Sequence, residues 1–353
     1  MSVSADFQCV RMQGCETNLY ILLIGILVLG IAAAGAVLLS PWPAVWLLRR
    51  GGEETVEAPE TYRQQIQKIR QQTDLCYPSA YRKNRYDLYL PEGNQKAPLI
   101  LWIHGGAFVA GDKSGVNTWA SLLASEGYAV AAMNYEWAPE AVWPAQLLQI
   151  RDCLDAVKAL PEAEDRIDMD RVFLAGDSAG AHMAAQAALL CFQEDFAERT
   201  GLSMPVKKPA LKGLLLYCGP YEIEPFAMVE NRALRFFANK IGQSYMGGIR
   251  WRKKRGTEFL DIARWMTGDC PPVYLTDGNS GSFERQGKRL GGRLRELGVP
   301  VMERYFEETE GSIPHEYQMQ LTRPQAVTCY QDTLRFLSTY SPGQKWQGEG
   351  EEE

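Results

Sequence analysis

The chain has 353 residues, 46% of them hydrophobic, with 37 Lys and Arg against 43 Asp and Glu for a net charge of −6. That balance is ordinary for a globular chain with a sizeable core, and it argues against a nucleic-acid binder, whose surface would be basic. The eight cysteines include no C-x-x-C pair, which speaks against a zinc framework or a disulfide scaffold and points to a reducing compartment.

Residues 1–18 read as a short polar N-terminal tail. Leu19–Leu39 then carries no charged or strongly polar side chain. At ~1.5 Å per residue it spans roughly 31 Å, the thickness of a bilayer core. A core helix rarely stays apolar on every face, and a cleaved signal peptide has a basic start and a shorter apolar stretch of about 7–15 residues. The expectation is an uncleaved, single-pass transmembrane helix over 19–39. Trp42 and Trp46 fit an interfacial belt, and Arg49 and Arg50 a charged stop. Those two arginines against Arg11 before the span place the C-terminal domain on the cytoplasmic side by the positive-inside rule. Residues 40–60 read as a juxtamembrane linker, glycine-rich and acidic over Gly51–Pro59, and Thr61–Gln72 as a polar helix.

From Tyr86 the pattern becomes α/β. Arg85–Leu90, Pro98–Ile103, Ala129–Met133, Val172–Ala175, Leu211–Tyr217, Pro272–Thr276 and Val299–Tyr305 read as strands. Helices are expected over Trp119–Glu126, Trp143–Leu160, His182–Phe192, Phe283–Leu297 and Arg323–Tyr340. Strands alternating with longer helices predict an α/β fold, with a mostly parallel central sheet covered by helices on both faces. The domain is expected over 61–340, and no internal repeat is present. Residues 222–269 are too long for a simple connection and are expected to form a helical cap. Within them, Leu234-Arg235-Phe236-Phe237 and the basic run Arg250–Arg255 are either a surface for anionic lipid or a solvated loop. Residues 341–353 form an acidic tail, expected to be disordered.

Two motifs carry chemistry. Gly176-Asp177-Ser178-Ala179-Gly180 is a G-x-S-x-G pentapeptide between an apolar strand and an Ala/Leu-rich helix, the context that pushes a serine hydroxyl out of a tight turn. The helix behind it aims N–H groups and its positive end at the same spot. Upstream, the strand Pro98–Ile103 runs directly into His104-Gly105-Gly106-Ala107-Phe108. Glycines there let the backbone approach a ligand and present N–H donors. A donor of that kind on a developing oxyanion contributes on the order of 3–4 kcal/mol.

The ordered set HGGAF, NYEWAPEAVWPAQ (Asn134–Gln146), GDSAGAH and a late His315 resembles the hormone-sensitive-lipase-like esterase branch of the α/β-hydrolases, over about Tyr86 to Tyr340. The resemblance implies Ser178 as nucleophile and His315 as general base. It also implies an oxyanion hole from the N–H groups of Gly106, Ala107 and Ala179, with His104 as a structural brace. Asp177 reads as a local turn stabiliser. Neither a metal nor an organic cofactor is implied.

This chain departs from the family pattern in three places. Ala107 replaces a glycine of the oxyanion motif, and Glu136 stands where arginine is usual. The position of the triad aspartate holds Gly281. Asp277, at the C-terminal end of a strand where such sheets keep their sites, is the favoured substitute. Glu284, Glu222 or no acid at all are the alternatives. His315 follows Ser178 in the chain order this fold requires.

The expected function is a membrane-anchored serine carboxylesterase acting on small, short- to medium-chain acyl esters through an acyl-enzyme. A deacetylase or amidase acting on sugars or arylamides fits the same fold. A non-catalytic binding protein is the reading that the missing aspartate would favour. The expected partners are the ester and the lipid bilayer, with no nucleic acid; the sequence leaves the oligomeric state open.

Overall fold

The computed structural model describes residues 3–50, 59–63, 69–93, 95–222 and 231–341, and of residues 3–18, 61 and 162 the backbone alone. Eight described strands form one sheet: β1 (Ile69–Cys76), β2 (Arg85–Pro91), β3 (Ala97–Ile103), β4 (Ala129–Met133), β5 (Ile167–Asp177), β6 (Leu211–Tyr217), β7 (Val273–Thr276) and β8 (Val301–Arg304). Their order is β1-β2-β4-β3-β5-β6-β7-β8. The pairs β1–β2 and β2–β4 are antiparallel, and all the others are parallel.

The central strand shows why the chain folds this way. All of β3 is buried, with Leu99, Leu101 and Ile103 in one apolar layer and Ile100 and Trp102 in the other. A strand covered on both faces reads as a continuous apolar run with no alternation. The helices α1 (Val3–Leu39), α2 (Trp42–Arg50), α3 (Asn117–Ser125), α4 (Ala145–Lys158), α5 (Ala179–Phe192), α6 (Arg232–Met246), α7 (Glu284–Glu296) and α8 (Pro324–Tyr340) follow in chain order. The first layer is closed by α4, α5 and α7, through residues such as Ile150, Met183 and Leu290. The second is closed by α3 and α8, through Leu122, Leu123 and Leu334. The α/β architecture with both faces covered is therefore present.

Three expectations are corrected. Residues 69–72, expected as the end of a polar helix over Thr61–Gln72, are strand: Ile69 to Gln72 pair with Pro91 to Leu88. Helix is confined to Glu60–Arg63, and residues 64–68 lie outside the described ones. The sheet edge overrides local polarity, because β1 has one strand neighbour and little to bury. Residues 3–18, expected as a tail, continue the helix that contains Leu19–Leu39; no proline interrupts them. Residues 42–50, expected as linker, form a packed helix in which Val45 is fully buried. Of the remaining expectations, the glycine-rich linker at 51–58, the start of the cap at 223–230 and the acidic tail at 342–353 lie outside the described residues.

Leu19–Leu39 buries none of its length against the protein. Leu22, Leu27 and Leu29 are each at least 60% exposed. That removes the core-helix alternative, since burial is what a core helix exists to provide.

Candidate active site

β5 ends at Asp177, α5 begins at Ala179, and Ser178 between them has φ 49° and ψ −117°. A non-glycine residue held there stores about 1–3 kcal/mol of strain. The turn is held by the Ser178 N–H, which donates to the Tyr217 carbonyl at 2.8 Å. A Cβ on Gly180 would collide with the Ile103 carbonyl oxygen at the end of β3. The second glycine of the pentapeptide is thus demanded by how closely α5 packs on the sheet.

His315 lies in the loop after β8, tied down by its N–H to the Ser280 carbonyl at 3.1 Å. Its Nε2 is 3.0 Å from Ser178 Oγ, and its Nδ1 is 3.2 Å from Asp277 Oδ1. Asp277 follows β7 directly and is buried. Its Oδ2 accepts from the Phe283 N–H at 2.7 Å and its Oδ1 from the Gly278 N–H at 2.8 Å. A Cβ on Gly278 would strike the Pro314 carbonyl, so the Asp-Gly dipeptide lets the histidine loop close over the strand. The other acids considered are engaged elsewhere: Glu222 binds Arg289 bidentately at 2.7 and 2.9 Å, and Glu284 pairs with Lys288 at 2.6 Å. Gly281 has φ +62° and faces open space.

The surroundings of the three described histidines shift them in different directions. Burial pushes His104 and His182 down to about 4, so both are neutral at physiological pH. His104 stacks on Tyr135 and its Nδ1 contacts the Gly105 carbonyl at 2.6 Å; His182 contacts the Pro220 carbonyl at 2.8 Å. His315 behaves differently. Burial pulls it down, but the hydrogen bond and charge of Asp277, with the charge of Glu316, hold it above its ordinary value.

The glycine loop after β3 is braced from below. Asp177 accepts from Trp102 Nε1 and from the Gly105 N–H, both at 2.7 Å. It therefore does more than stabilise its own turn: it fixes the loop carrying Gly106 and Ala107. Ala107 and Phe108 have φ 52° and 64°, so the alanine occupies the left-handed conformation that favours glycine. Among the described residues, the N–H groups of Gly106, Ala107 and Ala179 donate to no protein acceptor. Glu136, in place of arginine, accepts from the Arg82 and Lys83 N–H groups at 2.8 and 3.1 Å, so backbone bonds replace a side-chain ion pair.

Cys218, Asp277 and His315 offer ligand atoms within 4.8 Å of one another. Both ring nitrogens of His315 and both oxygens of Asp277 already have protein partners. Burial holds the Cys218 thiol protonated, facing Gln318 Oε1 at 3.1 Å. The donor set is arranged for proton transfer from a hydroxyl to an imidazole.

A cleft of about 530 Å³ opens over Ser178 and His315. A second, of about 470 Å³, lies at the opposite ends of β3 and β5 around Lys96 and Asp168, far from the serine. Three residues that line the first cleft escape sequence reasoning. Leu48 and Arg49 line it from α2, although the sequence presents Arg49 as a charged stop. Glu316 lines it too, and its carboxyl faces that of Asp177 across Gly105, where an added Cβ would lie 2.5 Å from Asp177 Oδ2 and 2.6 Å from Glu316 Oε1. The signal available was a carboxylate adjoining His315.

Burial, and then the Glu316 charge, push the Asp177 carboxyl up to about 8. In the unfolded chain it ionises near about 3.9. Its folded value is raised, so the stability it contributes is full below pH 4 and is lost as pH rises towards 8. Glu316→Gln keeps a hydrogen-bonding partner and removes the charge. The wild-type Tm is expected to fall by roughly 5 °C between pH 5 and 9, and the variant to keep the larger part of that slope, which burial sets, while losing, in calorimetry, the smaller part that the Glu316 charge adds. Parallel curves would show that the Glu316 charge does not act on Asp177.

The BD-FAE family model matches residues 86–283. The probable carboxylic ester hydrolase LipM of Mycobacterium tuberculosis is 32% identical over 120 residues, 33% of this chain and 28% of LipM. The chain therefore spans well under half the length of that relative. Kynurenine formamidase of Danio rerio is 26% identical over 285 residues, 76% of this chain and 85% of that protein. Among solved structures, an inhibited esterase B from Lactobacillus rhamnosis superposes with a TM-score of 0.69. At 23% identity, covering 85% of this chain and 94% of the other, it speaks for the fold alone.

Proposed function

The chain belongs to the BD-FAE family, within the α/β-hydrolases, and from that premise we propose that it is a membrane-anchored serine carboxylesterase. The observation that carries the reading is one imidazole bridging Ser178 Oγ at 3.0 Å and Asp277 Oδ1 at 3.2 Å. Ser178 attacks the ester carbonyl while His315 takes its proton, and Asp277 holds the imidazole tautomer and stabilises the cation. The N–H groups of Gly106, Ala107 and Ala179 receive the oxyanion. The alcohol leaves with the proton from His315, and water then cleaves the acyl-enzyme with His315 again as base. Short- to medium-chain acyl groups suit a cleft of about 530 Å³. The catalytic body is assigned to residues 61–340, with 222–269 as its cap. Leu19–Leu39 is the single-pass anchor, and Arg49 and Arg50 place that body on the cytoplasmic side.

One observation favours a second reading. The similarity to kynurenine formamidase extends along most of that protein, so cleavage of an N-formyl arylamide by the same serine is the alternative. A fluorophosphonate probe is expected to label the full-length protein at Ser178, located by peptide mapping. The value of kcat/KM for p-nitrophenyl acetate and butyrate is expected to exceed that for N-formyl and N-acetyl arylamides by about tenfold or more, a discrimination of about 1.4 kcal/mol. The reverse order would assign an amidase. A folded protein whose Ser178 never reacts would be a binding protein on a hydrolase scaffold.

A further inference from the structure

We infer that the Ser178 cleft takes an amphiphilic ester resident in the bilayer, because α2, which leaves the membrane span directly, forms one wall of that cleft. The inference rests on the esterase and anchor readings above and names their substrate class.

The span is clamped to the body instead of tethered by a free linker. Its last carbonyls, Leu38 and Leu39, accept from Lys240 Nζ at 2.7 Å and Gln243 Nε2 at 2.6 Å, both on the cap helix α6. The chain bends at Ser40-Pro41 and enters α2, where Val45 is fully buried. Arg49 finishes the docking. Its Nε donates to the Val109 carbonyl at 2.8 Å, its Nη2 to the Ala138 carbonyl at 3.2 Å, and its guanidinium binds Glu140 bidentately at 2.7 Å. The same group lies over the Trp137 ring, 4.7 Å from its centroid. Val109 closely follows the oxyanion loop and the Ala138 N–H donates to the Phe108 carbonyl at 2.9 Å, so Arg49 ties α2 to the segment that carries the oxyanion donors.

The outer face of α2 is built for lipid. Trp42, Trp46, Leu47 and Leu48 are 48, 54, 53 and 40% exposed, and Leu234 and Ile249 of the cap region are 58 and 61% exposed. The Arg50 guanidinium sits 3.8 Å from the Trp46 ring centroid, so the charge ends where headgroups would begin. An exposed row of large apolar groups continuous with a bilayer span is stable when it lies in the interface. Leu48 lies six residues into α2 from Trp42, about 9 Å along a helix that starts three residues after the span and lies in the interface, so the cleft mouth sits at headgroup level. An ester whose tail stays among the acyl chains can present its carbonyl there. A water-soluble ester reaches the same cleft without using the outer face of α2.

The test uses the full-length protein in phosphatidylcholine vesicles containing hexadecyl acetate or methyl palmitate, with p-nitrophenyl acetate in the aqueous phase as comparison. The hydrolysis rate of a vesicle ester is expected to follow its mole fraction in the bilayer at constant bulk concentration. Leu47→Glu, on the outer face and away from the cleft, is expected to lower that rate at least tenfold while changing p-nitrophenyl acetate hydrolysis less than twofold. Rates that follow bulk concentration, neglect of both vesicle esters, or an equal loss on all three substrates in the variant would overturn the inference and leave the esterase reading standing. Failure of the wild type on p-nitrophenyl acetate, with no fluorophosphonate labelling, would remove the esterase reading itself.

Discussion

Ser178→Ala is expected to lower kcat for p-nitrophenyl butyrate by on the order of 10⁴-fold or more, about 5.4 kcal/mol of transition-state stabilisation. In the proposed mechanism the whole reaction passes through one oxygen. His315 Nε2 faces Ser178 Oγ and no other described hydroxyl in its hydrogen bonds, so removing that oxygen leaves a base with nothing to activate but water. Some catalysis over water survives from the N–H donors and from binding. The fold has no reason to fail. The turn is fixed by the Ser178 N–H to Tyr217 and by the packing of Gly180 on β3, neither of which uses the hydroxyl. The Tm of the variant should lie within about 2 °C of wild type, since one partly buried hydrogen bond is worth about 1 kcal/mol. Undiminished hydrolysis by a folded variant would take Ser178 out of the mechanism.

Much of this was legible in the residues because apolar runs and tight turns are local signals. β3 is apolar throughout since both its faces are covered, and the pentapeptide needs its glycines since α5 packs directly on the Ile103 carbonyl. The acid of the site was legible as a choice among carboxylates. An aspartate at the end of β7 stood out, but only the path of the loop after β8 decides which carboxylate His315 reaches.

What was not legible depends on distant partners. IRQQ, at the start of β1, reads as the end of a polar helix because an edge strand needs no apolar alternation. Its order comes from the pairing with β2 and from the Asp74 N–H donating to Asp87 at 2.7 Å. Arg49 reads as a membrane stop, and nothing near it announces Glu140, 91 residues on. The exposed Arg49–Glu140 pair itself contributes at most about 1 kcal/mol. The burial of Val45, at about 1.5–3 kcal/mol, and the two carbonyl bonds decide the docking. Glu316 is one residue from His315 in sequence, but its meeting with Asp177 is set by a left-handed backbone at φ 59°.

Asp277→Asn is expected to lower kcat by about 10⁴-fold with little change in KM, the size of effect seen when a triad aspartate loses its charge. The cause is the proton inventory around one side chain. Asp277 accepts from the Gly278 and Phe283 N–H groups and faces His315 Nδ1. An asparagine has one acceptor oxygen for these three donors. If that oxygen keeps the Phe283 N–H, the amide NH₂ faces Nδ1 and forces the ring proton onto Nε2, where it points at Ser178 and blocks proton abstraction. If the amide turns round, its NH₂ confronts the Phe283 N–H at 2.7 Å, and a buried donor is left unpaired at a cost of about 1–3 kcal/mol. The pH profile separates this from a packing defect. Wild-type kcat/KM should rise with pH through an apparent pKa above 6.5, because Asp277 and Glu316 hold the imidazolium up. In the variant the largest of those favourable influences is gone, so the residual activity should rise at lower pH. Glu222→Gln and Glu284→Gln, whose carboxylates bind Arg289 and Lys288, should leave kcat within about threefold and the profile in place, as expected for exposed pairs worth at most about 1 kcal/mol. A 10⁴-fold loss in either of those two, with Asp277→Asn near wild type, would transfer the role to another acid.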